Sequence, residues 1–294
     1  MQANPQQKKT ILVTGANGQL GREFQQLDIY YPTYSFLFLT KEQLSITDEY
    51  SVNDFFKNNP IDICINCAAY TAVDKAETER ETAIVVNATA VGYLAKACKI
   101  YKAKFIHIST DYVFNGTAHT PYLENQQTDP VNFYGQTKLS GEQNALKENE
   151  ETIIIRTAWV YGNFGNNFVK TMLRLMKEKE SIGVVNDQYG CPTYAADLAN
   201  AIMQIITSNN FIAGIYHYSN KGKISWYDFA KEISLQINSH CIVNGISTLE
   251  FPTPAARPFY SVLDTTKIAD TFNIIIPEWK DSLRKCLSIL KLQN

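Results

Sequence analysis

Tyr134 and Lys138 form a YxxxK pair inside a stretch of helical pattern, a spacing that puts both side chains on one helix face. An ammonium close to a phenol favours the phenolate and brings the phenol pKa down from about 10. A tyrosine so placed can exchange a proton with a substrate oxygen near neutral pH. The lysine can also hold a nucleotide ribose. The pair alone is not selective, because a chain with 17 tyrosines also carries a second one, Tyr227 with Lys231. Position separates them. An apolar run upstream of Tyr134 ends in Ser109-Thr110-Asp111, and a hydroxyl there, from Thr110 or Ser109, can donate to a carbonyl beside the phenol. Tyr227 and Lys231 fall in the later part of the chain and read as a helix-surface pair.

A second constellation lies near the start. Gly15-Ala-Asn17-Gly18-Gln19-Leu20-Gly21 is a GxxGxxG string directly after a short apolar run and at the opening of a helical pattern. Glycines so spaced allow a tight turn, close approach of a pyrophosphate to the backbone, and close helix–strand packing. The helix start adds unpaired N–H groups for that anion. An acidic residue often closes the next strand and holds the ribose 2′-hydroxyl. Here Thr40-Lys41 stands there instead. Lys41 suits a 2′-phosphate, hence NADPH over NADH, and equally suits a solvated helix start.

These groups need a scaffold that brings distant strand ends together. Apolar runs at Lys9–Gly15, Ser35–Thr40, Ile61–Ala68, Lys104–Ser109 and Thr152–Arg156 read as strands. Helical patterns lie between them at Gln19–Gln26, Glu49–Asn58, Ala83–Tyr101 and Tyr134–Lys147. Alternating strands and helices predict βαβ units in a parallel sheet buried on both faces. The fold class expected is therefore α/β, a Rossmann-type doubly wound parallel sheet with a smaller C-terminal substrate-binding domain. The division expected is 1–165 for dinucleotide binding and 166–294 mainly for substrate, with a strand and helix near 182–217 returning to the first unit.

Composition narrows the function. A net charge of −2 over 294 residues, without a basic stripe, argues against nucleic acid as a partner. Apolar runs well short of roughly 18 residues predict no membrane span, and the polar N-terminus carries no secretion-signal core. Six cysteines without a pairing pattern read as free thiols of a cytoplasmic protein. Cys64 and Cys67 form a CxxC string, placed inside a buried strand and read as core. The histidines show no ligand spacing, and His107 reads as core. Asp74 and Glu77 read as a solvated helix start.

The glycine turn, the strand-end Ser-Thr and the YxxxK pair together resemble the extended short-chain dehydrogenase/reductase superfamily. Longer strings are similar to its dTDP-4-dehydrorhamnose reductase family: NCAAYTAVDKAE (66–77), STDYVFNG (109–116), NFYGQTKLSGE (132–142), RTAWVYG (156–162), GNNFVKTMLRL (165–175) and NDQYGCPT (186–193). That resemblance implies reduction of the C4 ketone of dTDP-4-dehydro-L-rhamnose with NADPH or NADH. It makes Tyr134 the proton donor, Lys138 its partner on the ribose, and Thr110 part of a hydroxyl relay. It places the cofactor on Gly15, Asn17, Gly18, Gln19, Leu20, Ala68, Ala69, Tyr70 and Thr71, with Tyr134 and Lys138 at the nicotinamide end. Ser45 and Ile46 fall where the family contacts adenine, with Ser45 standing in for the usual acidic residue. The dTDP-sugar would meet Thr110, Asp111, Trp159, Asn167, Gln188 and Arg257, with the Asn166–Phe168 and Asp187–Gly190 segments near the nucleotide sugar.

Some relatives hold a magnesium ion at a dimer contact through glutamates. Glu23 matches one such position, but the PTYAAD segment (192–197) lacks the other glutamate, so no metal is expected; a homodimer stays open. Two other readings stay open as well. One is a related nucleotide-sugar epimerase or reductase; a dehydratase ranks lower, because no glutamate follows Asp111. The other is a non-catalytic NADP-binding regulatory subunit of the methionine adenosyltransferase type, which resembles the same family.

Overall fold

The structure is a computed structural model, and it describes residues 8–208 and 210–292. Most of the polar N-terminal stretch read above therefore lies outside the described residues. In chain order the strands are β1 (Lys9–Thr14), β2 (Tyr34–Leu39), β3 (Ile63–Asn66), β4 (Lys104–Thr110), β5 (Ile153–Thr157), β6 (Val160–Tyr161), β7 (Ser181–Val185), β8 (Tyr189–Gly190), β9 (Thr193–Tyr194), β10 (Gly214–Tyr218), β11 (Ile224–Ser225) and β12 (Ile242–Ile246). The helices are α1 (Gln19–Leu27), α2 (Glu49–Asn58), α3 (Val73–Ala76), α4 (Arg80–Ile84), α5 (Ala90–Tyr101), α6 (Phe133–Glu148), α7 (Phe168–Glu178), α8 (Ala195–Thr207), α9 (Trp226–Gln236), α10 (Thr266–Phe272) and α11 (Trp279–Leu292).

Runs such as Ile11–Val13 and Ile153–Ile155 are apolar at consecutive positions, which suits only strands covered on both faces. They build a six-stranded parallel sheet in the order β10-β5-β4-β3-β1-β2. The chain moves outward from β1 to β2 and then returns to β3 on the other side of β1. That reversal opens a crevice at the carboxyl ends of β1 and β3, where such sheets bind ligands. One face packs Ile11, Ile65 and Ile155 against Phe24 of α1, Leu198 and Ile202 of α8, and Phe272 of α10. The other packs Leu12, Cys64 and Phe105 against Phe56 of α2, Leu94 of α5 and Ala145 of α6. Beyond the sheet, α7, α9 and α11 share a separate core around Phe229, Trp279 and Leu283 with the β7–β12 pair. Of the 182–217 segment, α8 lies against α1 and β10 joins the main sheet beside β5, whereas β7 pairs with β12.

Two expectations need correcting. Residues Arg80–Tyr101 form one helix of 22 residues whose most apolar 18-residue window has mean hydropathy 1.3, enough by length and composition to cross a membrane. The apolar runs looked shorter because polar Asn87 and Thr89 sit in its middle, in a five-residue π-helical segment between α4 and α5. The helix is packed between the sheet, α2 and α6, as the core helix of a globular fold is. Cys64 is buried in β3 as expected, but Cys67 lies beyond the strand at the mouth of the crevice. All six cysteines are free.

Candidate active site

The crevice at the carboxyl edge of the sheet holds a cleft of about 690 Å³. Gly18, Gln19 and Leu20 form one wall, the loop after β3 a second, and the end of β4 with the start of α6 a third; Trp159 and Trp226 close the far side.

The glycine turn is shaped for close backbone approach. Gly15 has φ +65°, and a Cβ there would stand 2.6 Å from the Ala68 nitrogen, so both the conformation and the space require glycine. Gly18 precedes α1 without a side-chain cap, and no acidic residue lies in its first turn. The first N–H groups of α1 are therefore available to an anion. Ala69 and Thr71 line the cleft as well. Their loop is held by Asn87 from the π segment, whose amide accepts from the Tyr70 N–H at 2.8 Å and donates to the Tyr70 carbonyl at 3.0 Å. The polar interruption in that apolar helix thus has a positioning task. The turn, the bare helix start and the pinned loop together fit a dinucleotide.

At the other end, α6 begins where the Asn132 side chain accepts from the Gly135 N–H at 2.8 Å. A side chain at Gly135 would run into the Tyr112 carbonyl oxygen, so glycine lets the helix settle onto the end of β4. Tyr134 packs edge-on against Tyr112, ring centroids 5.7 Å apart, and lines the cleft together with Thr110. Thr110 Oγ1 donates to Asp111 at 2.9 Å.

The electrostatics differ from the simple expectation. Burial and the nearby Asp111 carboxylate hold the Tyr134 phenol well above its usual range, against the Thr110 hydrogen bond. The Lys138 side chain turns inward, where Nζ donates to the Ile108 carbonyl at 2.7 Å. Burial pulls Lys138 down to about 8, opposed by Glu142 and Cys67. Tyr134 therefore keeps its proton at neutral pH, as a donor should.

Asp111 is buried and pushed up to about 6 by desolvation, with Ser261 and Thr110 hydrogen bonds acting against the rise. A carboxyl whose folded pKa exceeds its unfolded value makes the folded state less stable as pH rises through that interval. Asp111→Asn removes this dependence. Relative to wild type, the variant should gain on the order of 2 kcal/mol between pH 4 and pH 7. Urea unfolding at the two pH values measures it, and a constant difference would place Asp111 in a wetter environment than this one.

Trp159 lines the cleft with φ +48°, an uncommon conformation for a bulky residue. Its indole stacks on Trp226 with centroids 3.5 Å apart.

The other expected residues sit elsewhere. Asn17 is exposed on the turn. Ser45 is exposed beyond β2, while Ile46 is buried in the core beneath α2. Lys41 is exposed, 3.8 Å from Glu42. Tyr70 directs its hydroxyl to Glu79 at 2.8 Å. Asn167 caps α7 and donates to Gln19 Oε1 at 3.0 Å, while its neighbour Asn166 lines the cleft. Asp187 and Gln188 bind Thr248, with Gln188 Nε2 donating at 3.0 Å. Arg257 pairs with Asp74 at 2.9 Å. Asp74 and Glu77 are thus not a solvated helix start, since Glu77 also accepts from the Phe133 N–H at the head of α6. Glu23 is buried near Asn163 and pushed up to about 7 by desolvation and by Asp197. Tyr227 and Lys231 border a separate open groove on α9.

Asn166, expected near the nucleotide sugar, is in the cleft lining, whereas Tyr112 and Trp226 escaped the sequence reading and Cys67 was read there as core. Tyr112 lies inside a string already singled out and could have been found there. Trp226 has no local signal.

The family pattern described as the RmlD substrate binding domain matches residues 9–292. The chain belongs to this family. Among RmlD relatives, the dTDP-4-dehydrorhamnose reductase of Aggregatibacter actinomycetemcomitans is 42% identical over 287 residues, covering 93% of this chain and 97% of its own length. A crystal structure of a dTDP-4-dehydrorhamnose reductase from Clostridium acetobutylicum superposes with TM-score 0.92 at 42% identity, over 96% of this chain and 99% of that one. The Bacillus anthracis dTDP-4-dehydrorhamnose reductase, solved in complex with NADP, gives TM-score 0.92 at 41% identity with the same coverage.

Proposed function

We propose that this RmlD-family chain is an NAD(P)H-dependent oxidoreductase that reduces the C4 ketone of dTDP-4-dehydro-L-rhamnose to dTDP-L-rhamnose, a step of nucleotide-sugar biosynthesis. The observation that carries the reading is the joining of the glycine turn and the Thr110–Tyr134–Lys138 group in one cleft. When bound, the reduced nicotinamide supplies a hydride. Tyr134 holds a proton at its phenol oxygen, and Thr110 orients that oxygen toward a substrate carbonyl. Transfer from Tyr134 as the C4 oxygen gains charge avoids a free alkoxide. Lys138, anchored on the Ile108 carbonyl, has N–H capacity left for a ribose hydroxyl. Gly15, Gly18, Gln19 and Leu20 receive the pyrophosphate, and Ala68, Ala69 and Thr71 flank the dinucleotide. Trp159 faces the deoxysugar, with Asp111 beside it.

Arg257 is read as a substrate-phosphate partner that can leave Asp74 when the ligand enters. Asn167 acts through Gln19. Residues 1–165 serve mainly the cofactor and 166–294 mainly the sugar nucleotide. Free thiols throughout and the small-molecule cleft support a cytoplasmic enzyme acting on a dTDP-sugar, without nucleic-acid or membrane partners.

Product analysis tests this. Purified protein with dTDP-4-dehydro-L-rhamnose and NADPH should yield dTDP-L-rhamnose with one NADPH consumed per product. An isomerised ketone without net NADPH loss would favour an epimerase. No turnover, with co-purification of a synthetase, would favour a regulatory subunit.

A further inference from the structure

Behind Lys138 a row of buried polar side chains crosses the sheet. Thr14, Asn66 and His107 occupy matching positions on adjacent strands: Thr14 opposes Asn66 in the β1–β3 pair, and Asn66 opposes His107 in the β3–β4 pair. All three are at most 1% exposed. Thr14 Oγ1 donates to Asn66 Oδ1 at 2.7 Å, and the Ala68 N–H donates to the same oxygen at 3.2 Å. Two donors on one atom settle which end of the amide is oxygen. The amide nitrogen, Asn66 Nδ2, therefore faces His107 Nδ1 at 3.1 Å. An amide nitrogen can only donate, so Nδ1 must accept, and a neutral imidazole then carries its proton on Nε2. Lys138 Nζ stands 3.4 Å from that Nε2.

A donor on Nε2 can be met by a neutral amine, which has a lone pair, and not by an ammonium, which has none. We propose that His107 is a positioning residue for Lys138, favouring the neutral amine through a proton that Asn66 confines to the Nε2 edge of the imidazole. An ammonium would force His107 into its other tautomer, with Nδ1–H against Asn66 Nδ2–H, and turning Asn66 to relieve that would set its NH2 against the Ala68 N–H and break that bond. The row thus ties the loop proposed to carry the dinucleotide to the charge of the lysine proposed to hold its ribose. In this respect the inference rests on the reductase reading.

The charged or titratable groups facing Lys138 are His107 from β4, Cys67 from beyond β3 and, on its own helix, Glu142, which is neutralised by Arg156 of β5 at 2.7 Å. The lowered position of Lys138 is in keeping with this arrangement, although burial is its main cause. His107 itself is held well below its usual range by burial and by Lys138, so it stays neutral and its tautomer is the variable that matters.

Nitrogen-15 NMR of histidine-labelled full-length protein, without cofactor, reads the tautomer directly. The signal lost in His107→Gln should show a protonated Nε2 and a bare Nδ1 at pH 7 to 8. A proton on Nδ1 would overturn the proposal whatever the protein catalyses. Asn66→Asp keeps the bonds from Thr14 and Ala68 but offers His107 an acceptor, which should move the proton to Nδ1. The high-pH limb of kcat/KM should then rise by about one unit, a tenfold gain in the proton affinity of Lys138. A limb that stays in place while the tautomer switches would reduce His107 to a packing role. If Asn66→Asp does not fold, the wild-type tautomer decides alone. If the tautomer is as stated and no reductase activity is found, the functional reading fails and the row stands.

Discussion

Replacing Tyr134 by phenylalanine should lower kcat by on the order of 10²-fold or more while leaving NADPH affinity unchanged. The substitution removes one oxygen. The ring keeps its edge-on packing against Tyr112, and α6 keeps its Asn132 cap, so the fold and the glycine turn are not disturbed. What is lost is the phenol that lines the cleft with Thr110 and Lys138. Because burial and Asp111 keep this phenol protonated, its loss removes a proton source rather than a fixed charge. Steady-state kinetics and cofactor titration separate the two effects. A variant within a few-fold of wild type would show that the proton reaches the C4 oxygen by another route.

The largest stability effect should come from about two turns further along the same helix. Glu142 is buried and receives three contacts from the Arg156 guanidinium, at 2.7, 2.9 and 3.2 Å. Ser109 Oγ donates to the same carboxylate. Arg156 is itself only 3% exposed, and its other neighbours are the Glu124 carbonyl, His217 and the Phe114 ring. Glu142→Gln leaves that guanidinium buried without a counter-charge, which should cost about 3–5 kcal/mol. In a protein of this size that lowers Tm by roughly 10 °C. Replacing both partners with apolar residues of similar volume should recover most of the loss, because the desolvation of both ions disappears with them. Calorimetry of the single and double variants tests this. A single variant as stable as wild type would mean that water or another anion reaches Arg156.

Local signals were readable in the sequence. The glycine string, the strand-end Ser109-Thr110 and the Tyr134–Lys138 spacing each occupy a few consecutive residues, and each met the others at the sheet edge that βαβ alternation defines. The parallel sheet was readable because its strands carry consecutive apolar residues, as at Ile11–Val13 and Ile153–Ile155.

What escaped the reading depends on contacts distant in sequence. Arg257 meets Asp74 across 183 residues, and Trp226 at the start of α9 stacks on Trp159, which follows β5. Asn167 looked like a substrate contact because polar residues in a resembling string invite that role. The structure uses it first as a helix cap, a task any asparagine before an apolar run can take. Asn66 and His107 were passed over for the opposite reason. Inside apolar strands a lone polar residue reads as core, and only the register of three strands shows that they form a row.

The most direct test of the account is the fate of the transferred hydrogen. With NADPH deuterated at the transferable C4 position and dTDP-4-dehydro-L-rhamnose, the account predicts dTDP-L-rhamnose carrying one deuterium at sugar C4, formed in step with cofactor oxidation. Product without deuterium at C4, or deuterium retained on a cofactor that is not consumed, would contradict it.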